Sequence, residues 1–438
     1  MRPTGSRFAA LVSSILLLLT AVEAARRPRF GGLLRMQTSA RITSLDPASS
    51  QPDSMDESAR RRILANVFET LVRLDDKGEA QPALAVSWVH DPARRQWVFT
   101  PRPNVLFHNG ARWEPPPNSL AFDDKRPIGD ILRSLATAQN AVVARGSDGT
   151  LSGTGPFRMA GWESGAVLKL EANADYWGGR PFLDAIEIRM ARTKRDQSID
   201  FEIGKSDVIE LAVSEVRRVQ QRGGKVAVTS PTEIVALVVE SAPPGIERAL
   251  SLAIDRNAIY NVLLQRTGVI SGALLPYWLT GYSFVFPTAM DHPRAREMAG
   301  VKQPLTLAFD EQNPLMRAIA ERIMLNAGDA GIPMRAAAGK GPAAVRLIAA
   351  RFTSAEPAQA LAEVASAFGA QAPIPSASDP DQLYAAENGV LASRRIVPLF
   401  HLPAAYQLSP QVHGWPARTA STDRWRLDDV WLDERSRQ

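Results

Sequence analysis

Two glycines one residue apart, Gly153 and Gly155 in LSGTGPFRM, have a spacing that cradles phosphate in nucleotide-binding loops. Such a loop needs a helix behind it, so that free backbone N–H groups and the positive end of the helix dipole face the anion. Here Pro156 follows directly and removes a donor. The next residues alternate apolar and polar (Phe157, Met159; then Val167, Leu168, Leu170) around a turn at Glu163-Ser164-Gly165. That pattern predicts a β-hairpin, and the glycines read as a structural turn. A second phosphate signature, Gly204-Lys205-Ser206, fails because Ile199 stands where a P-loop requires its first glycine.

The other reactive side chains form no constellation. His90, His108, His292, His401 and His413 have neither H-x-x-x-H nor H-E-x-x-H spacing, and His108 adjoins the hairpin signal Asn109-Gly110. Asp123 and Asp124 are adjacent carboxylates in a proline-rich stretch, where solvation is the simpler reading than acid–base work. No serine lies in a G-x-S-x-G elbow. The absence of cysteine excludes disulfides, thiolate metal sites, cysteine nucleophiles and a lipid-modified cysteine together. No catalytic residue, metal site or cofactor is therefore expected.

The elements around these residues read as mixed α/β. GGLLRMQTSARITSLDP predicts a strand entering a loop at Leu45-Asp46-Pro47. Ser54 and Glu57 form a capping box ahead of Ile63, Leu64, Val67, Phe68 and Leu71, a spacing that turns Arg60, Arg61 and Arg62 largely toward solvent. Trp97 and Phe99, then Val105 and Phe107, separated by Pro101 and Pro103, predict edge strands, and residues 114–127 read as irregular. FLDAIEIRM predicts a strand with Ile186 and Ile188 on one face. From Pro243 the period becomes helical: Ile246, Ala249, Leu250, Ala253 and Ile254 make a buried stripe, and Asp255 caps a second helix. PLTLAFD, Pro314 to Ala327, and the segment after Gly331 predict strand, helix and strand. Val397 to Phe400 and a tryptophan-rich end (Trp415, Trp425, Trp431) close the chain, and Trp88, Trp97, Trp162 and Trp177 are expected in the core.

A chain of 438 residues exceeds what one core serves, so two or three domains are expected. A net charge of +5 with no like-charge block beyond the arginine triplet gives nucleic-acid binding little support. Arg2 and Arg7 precede an apolar run from Phe8 to Val22 that ends in small residues at Ala24 and Ala25, the pattern of a cleaved export signal.

With these elements in place, SLDPASS, VFETLVRLDDKGEAQPALAVSW, WVFTPRPNVLFHNG, GTGPFRMAGWESGAVLKLEANADYWGGRPFLDAIEIRM, GKSDVIE, ALSLAIDRNAIY and AGVKQPLTLAFD occur in one order from about Gly31 to Gly331. In that order they resemble the extracellular solute-binding proteins of the peptide and nickel class, family five, which serve ATP-driven importers; IVPLFH is a weaker echo. The resemblance implies a two-lobed periplasmic-binding-protein type II fold, with lobe I at 26–74, 150–238 and 399–438 and lobe II at 239–398. It implies a reduced inserted domain at 75–149, since the family carries more chain between His108 and Gly153, and a shortened second lobe after Gly331. A monomer binding a small or peptide-like solute and docking on an inner-membrane permease is expected. A sensory or scaffold protein on the same fold, or an exported hydrolase, are the alternatives.

The resemblance also places candidate ligand residues. The loop from Ser44 to Ser49 borders the expected cleft, as do Tyr277 and Trp278 of LLPYWLTGY, for which core packing is the competing reading. Peptide-binding members of the family hold the ligand's α-amine with an aspartate just before an acidic-Pro step. In ARFTSAEPAQAL that step is Glu356-Pro357, and Thr353 occupies the aspartate's place, with Asp379-Pro380-Asp381 as a second alignment. A hydroxyl cannot neutralise a buried ammonium, so a ligand without a free amine, or one held loosely, is expected. N-terminal sequencing of exported protein should start at Ala25 or Arg26; membrane-bound protein retaining Met1 would overturn the cleaved-signal reading.

Overall fold

The computed structural model describes residues 27–50, 54–75, 79–282, 287–300, 303–337, 341–352, 354, 356–371, 379–416 and 425–433. The segment read as an export signal and Thr353 lie outside them. Strand β1 (Leu33–Gln37) buries Leu34 and Met36 and leads through the 38–50 loop to helix α1 (Ser54–Leu64). A small unit follows, built from β2 (Val72–Leu74), β3 (Ala80–Pro82), β4 (Ala85–Asp91), β5 (Gln96–Pro101), β6 (Ala121–Asp123), α2 (Ile128–Leu135), β7 (Ala144–Arg145) and β8 (Leu151–Ser152). It has its own core, in which Leu84, Phe99, Val105, Ile131 and Leu135 meet.

Two expectations change here. Strand β5 is the middle strand of its sheet, between β4 and β6, and not an edge; Pro101 is tolerated because it is the last residue of the strand. The stretch read as irregular contains β6, and helix α2, which follows it, buries Ile131, Leu132 and Leu135 against the small core.

The glycine pair is a crossing point. Gly155 N donates to Val67 O and Phe157 N to Asn66 O, both at 3.0 Å, so the returning chain lies against the backbone just past α1. A β-carbon at Gly153 would stand 1.9 Å from Val67 O, and one at Gly155 would stand 2.7 Å from Asn66 O. His108 belongs to the same turn, with Nε2 donating to Gly155 O at 3.0 Å; burial lowers its pKa. The expected hairpin then forms as β9 (Phe157–Glu163) and β10 (Val167–Ala172), followed by β11 (Ala185–Arg189) with Ile186 and Ile188 buried.

Helix α3 (Lys194–Glu202), β12 (Val208–Leu211) and α4 (Val216–Gln221) lead into the 15-residue strand β13 (Lys225–Val239). The chain continues with α5 (Ile246–Ala253), α6 (Arg256–Val262), β14 (Val269–Ile270), α7 (Tyr277–Thr280), α8 (His292–Ala299), β15 (Leu305–Ala308), α9 (Pro314–Asp329), β16 (Met334–Ala336), β17 (Val345–Arg351), α10 (Pro357–Ala367) and α11 (Pro380–Arg394), the segment expected to form the second lobe. The stripe of α5 is fully buried, and the Asp255 carboxylate accepts from Ala258 N at 2.9 Å, capping α6 as its sequence implies. The 13-residue β18 (Ile396–Leu408) returns to the first lobe, where β19 (Val412–His413) pairs with β20 (Trp431–Leu432).

One eleven-stranded sheet runs through both lobes in the order β16-β15-β17-β13-β18-β12-β1-β11-β10-β9, with β14 added on β18. Helices cover both faces of its second-lobe half, around Val235 and Leu237 on one side and Ile234 and Ala236 on the other. The first-lobe core gathers Leu34, Ile42, Leu64 and Phe157, and Trp425 meets Tyr406 edge-on at 5.3 Å. Trp88, Trp97, Trp162 and Trp177 are half-buried and pack against these cores.

The arginine triplet is the clearest correction. Arg60 and Arg62 are 1% and 3% exposed, and Arg61 is mostly covered. Their guanidiniums find acceptors that the helical wheel cannot show, described below. For the crossing, Gly153→Ala is expected to cost about 3 kcal/mol in a urea melt, because its new methyl group meets backbone that cannot move aside; an unchanged midpoint would refute the close approach.

Candidate functional site: the cleft between the lobes

The two lobes are joined where β13 and β18 pass side by side. Their antiparallel ladder shifts register between Val228 and Pro231 and again between Pro231 and Glu233, and Pro231 lies opposite Pro403. Neither proline can donate to the ladder. Ala404 N instead donates to Thr229 Oγ1 at 3.0 Å. The strands therefore run continuously between the lobes but are weakly tied at one place, which makes a hinge.

A cavity of about 650 Å³ opens beside this hinge. Its first-lobe wall is made by residues 39–41, Met55, Asp56 and residues 210–215. Glu233 of β13, Arg351 of β17 and residues 313–316 line it on the other side, and residues 402–406 of β18 complete it. Glu210 of β12 is tied to the loop after β1, accepting from Thr38 Oγ1 at 2.7 Å and Ser39 N at 3.0 Å. Burial pushes its pKa up, but the Lys194 charge and these bonds outweigh it and hold the carboxyl below its usual value. Arg351 Nη2 donates to Glu233 Oε2 at 3.0 Å, with both side chains nearly covered.

Next to the cleft, the arginines of α1 hold the loop predicted to border it. Arg60 binds the Glu57 carboxylate through Nε and Nη2, both at 2.8 Å, and donates to Asp46 O at 2.9 Å and Ser49 O at 2.5 Å. Burial pushes Glu57 up, yet Arg60 and Arg61 hold its carboxyl below the usual range. Arg61 also reaches across to Glu363 of α10 at 3.4 Å, linking the lobes, and Arg62 donates to the Tyr406 hydroxyl. Asp46 takes a two-pronged bond from Arg145 of the small unit, 2.8 Å on each oxygen, which lowers its pKa. Within this frame Ser44 and Ser49 bond to each other, Oγ to Oγ, at 2.8 Å.

The remaining predicted site residues take different places. Tyr277 begins α7 and is 63% exposed. Trp278 donates from Nε1 to Pro231 O at 2.8 Å, with its ring 6.2 Å from that of Phe352, so it braces the hinge from the second lobe. Its loop is anchored by the buried Glu387, whose carboxylate accepts from Leu274 N, from Leu275 N at 3.1 Å and from the Tyr282 hydroxyl at 2.6 Å. Burial raises the pKa of Glu387; it lowers that of His401, which donates to Leu274 O, to about 4. Glu356 caps α10 by accepting from Ala358 N at 3.1 Å and Gln359 N at 2.6 Å. Asp379 caps α11 in the same manner. Ser44, Ser49, Tyr277, Trp278 and Glu356 do not line the 650 Å³ cavity. Sequence reasoning missed Glu233, Arg351 and the paired prolines, for which no local signal exists.

Two lobes on one sheet, hinged at two crossing strands over a cavity walled by both, define a two-lobed binding-protein fold. The chain belongs to the bacterial extracellular solute-binding proteins of family 5, whose description "Bacterial extracellular solute-binding proteins, family 5 Middle" matches residues 115–343. It is 28% identical over 178 residues to "Uncharacterized protein YhjP" of Bacillus subtilis (strain 168), covering 33% of this chain and 31% of that one. It is 23% identical over 308 residues to the "Nickel-binding periplasmic protein" of Escherichia coli (strain K12), covering 56% and 58%. The chain thus spans less than two thirds of these relatives' length.

Among solved structures, it resembles NikA from Brucella suis in complex with Fe(III)-EDTA, with a TM-score of 0.74 at 17% identity over 92% of this chain and 100% of that one. It also resembles the ABC transporter-associated periplasmic binding protein DppA from Helicobacter pylori in complex with peptide STSA, with a TM-score of 0.72 at 19% identity over 94% and 100%. These likenesses show the shared fold.

Tyr277→Ala should leave the unfolding midpoint of the empty protein unchanged, whereas Trp278→Ala should cost about 2 kcal/mol, because it loses both an indole bond and packing on Phe352. Equal costs in urea melts would contradict this division of roles.

Proposed function

We propose that this protein captures a small solute between its lobes outside the cytoplasm and delivers it to an inner-membrane ATP-driven permease. The observation that carries this reading is the cavity of about 650 Å³, walled by both lobes and by the hinge strands. That volume falls within the range of about 300–1,000 Å³ typical of small-molecule sites. A site built from two bodies gains its full set of contacts only when they close, so a ligand that touches both walls favours the closed form by its differential affinity. The permease would then read the paired surfaces of the closed lobes. The family and the folds it resembles are those of binding proteins, and the proposed work is binding without chemistry.

Tyr277, whose ring is largely exposed beside the hinge brace, and the 44–49 loop, held rigid by Arg60, are proposed as the rim of the cleft. The segment from Thr353 to Glu356 is proposed to lack the amine anchor of peptide-binding family members. In support, the Glu356 carboxylate is engaged by two backbone N–H groups, so recruiting it to an ammonium would uncap α10.

Native mass spectrometry of the protein purified from its periplasm should show a bound mass that denaturation releases, and X-ray scattering should show contraction on rebinding that material. Identical scattering with and without it, and no released mass, would refute solute capture. Calorimetry with di- and tripeptides should show no loss of affinity on N-acetylation; submicromolar binding that acetylation removes would refute the missing anchor.

A further inference from the structure

Helices α1 and α10 pack into different cores and meet through a charge pair. Ile63 and Leu64 of α1 belong to the core around Leu34 and Phe157, whereas Leu361 and Val364 of α10 belong to the core around Ile234 and Ala236. Strands β13 and β18 serve both bodies, with Ala227 and Ala404 in the first core and Ile234 and Ile396 in the second. The paired prolines lie between those positions. Away from these strands, Arg61 of α1 reaches Glu363 of α10, Nη1 to Oε1 at 3.4 Å.

Each end of this pair is held from its own side. Arg61 Nε donates to Glu57 Oε1 at 2.6 Å within α1, and Glu363 Oε2 accepts from Ser354 N at 3.2 Å beside the start of α10. Neither of these two bonds crosses between the bodies. A rotation about the hinge therefore breaks the 3.4 Å contact and leaves both side chains aimed, so little side-chain entropy is lost each time the contact re-forms. The side chains are 11% and 22% exposed, which shields the pair from the full screening of open solvent. Its length is nevertheless beyond the usual range of a hydrogen bond, so it breaks at modest cost. A reversible contact needs that combination.

We propose that Arg61 and Glu363 form a latch that favours the arrangement in which α1 and α10 lie together, with Glu57 as the residue that positions the Arg61 guanidinium. Glu57 Oε1 also accepts from Arg60 Nη2 at 2.8 Å, so one carboxylate sets both the latch and the arginine that holds the 44–49 loop. On the α10 side Ser354 carries the contact onward, its Oγ accepting from Glu356 N at 3.1 Å. The latch rests on the hinge at Pro231 and Pro403 and not on the identity of any solute. A solute held between the bodies favours the same arrangement, so the latch lowers the differential affinity that the solute must supply.

The sequence contains no cysteine, so Lys169→Cys on β10 and Ser366→Cys on α10, both at exposed positions, place one spin label on each body of the full exported chain. Pulsed electron resonance then reads the distance between the labels after dialysis, with no solute added. Glu363→Gln keeps an acceptor for Ser354 N and removes the charge. It should raise the ratio of the second distance population to the latched one by about fivefold, the scale of a partly covered ion pair. Arg61→Gln should raise it equally, and the double variant no further. About 1 M NaCl, which screens charges within roughly 3 Å, should shift the labelled parent in the same direction and leave Glu363→Gln unmoved. Urea melts separate a latch from a static bridge: an unchanged distance distribution in Glu363→Gln, whatever its unfolding midpoint, would overturn the proposal. An equal salt response of parent and Glu363→Gln, or a double variant whose effect is the sum of the single ones, would overturn it too. Solute capture is judged separately by the released mass, so either idea can fall without the other.

Discussion

Everything in this protein turns on two strands that must serve two bodies. Strands β13 and β18 are each long enough to run through both lobes, and they remain neighbours along their length. An uninterrupted ladder of that kind would be a stiff plate. Pro231 and Pro403 face each other where the lobes meet, so neither strand can offer an N–H there, and the ladder slips register on both sides. Each missing ladder bond gives up only about 1 kcal/mol net, a small loss for a place where the sheet can bend. The strain is confined by side-chain bonds that stand in for the ladder: Thr229 accepts from Ala404 N, and Trp278 donates to Pro231 O.

Buried arginines provide the second layer of order. Arg60 ties the 44–49 loop to α1 through two carbonyls, and Arg256, 1% exposed, donates to Ser251 O of α5 and Pro398 O of β18. Burial lowers the pKa of Arg256 to about 10, which still leaves it charged at neutral pH. In each case a buried guanidinium gathers backbone carbonyl oxygens from segments distant or turned away from one another. Such groups cost desolvation, and Arg60 offsets it by fixing the conformation of the 44–49 loop.

The small unit that follows α1 is joined to the rest of the chain by contacts of the same character. Arg145 grips Asp46, and Glu69 accepts from Thr154, Tyr176 and Trp177 at the chain crossing. The crossing itself needs glycine for space alone, since any side chain at Gly153 would enter the backbone beyond α1. A phosphate-like glycine spacing thus serves a tight packing of chain on chain.

The sequence by itself determined the local elements whose cause is local. The hairpin of β9 and β10, the buried stripe of α5 and the Asp255 cap follow from periodicity and short-range hydrogen bonding, which act within a few residues. The ordered run of family-like segments was enough to identify the two-lobed fold, because many weak matches in one order rarely arise by chance. Only the tertiary structure decided the features whose partners are distant. Helical spacing sent Arg60 and Arg62 to solvent, since nothing nearby reveals that Asp46 O, Ser49 O and Tyr406, up to 344 residues away, would meet them inside. Only Val397 to Phe400 stood out near the end of the chain, yet β18 runs from Ile396 to Leu408 through Pro398 and Pro403, because its partner β13 shifts register near each of them. Glu233 and Arg351 are ordinary residues on separate strands until sheet register sets them face to face, and register is a property of the assembled sheet.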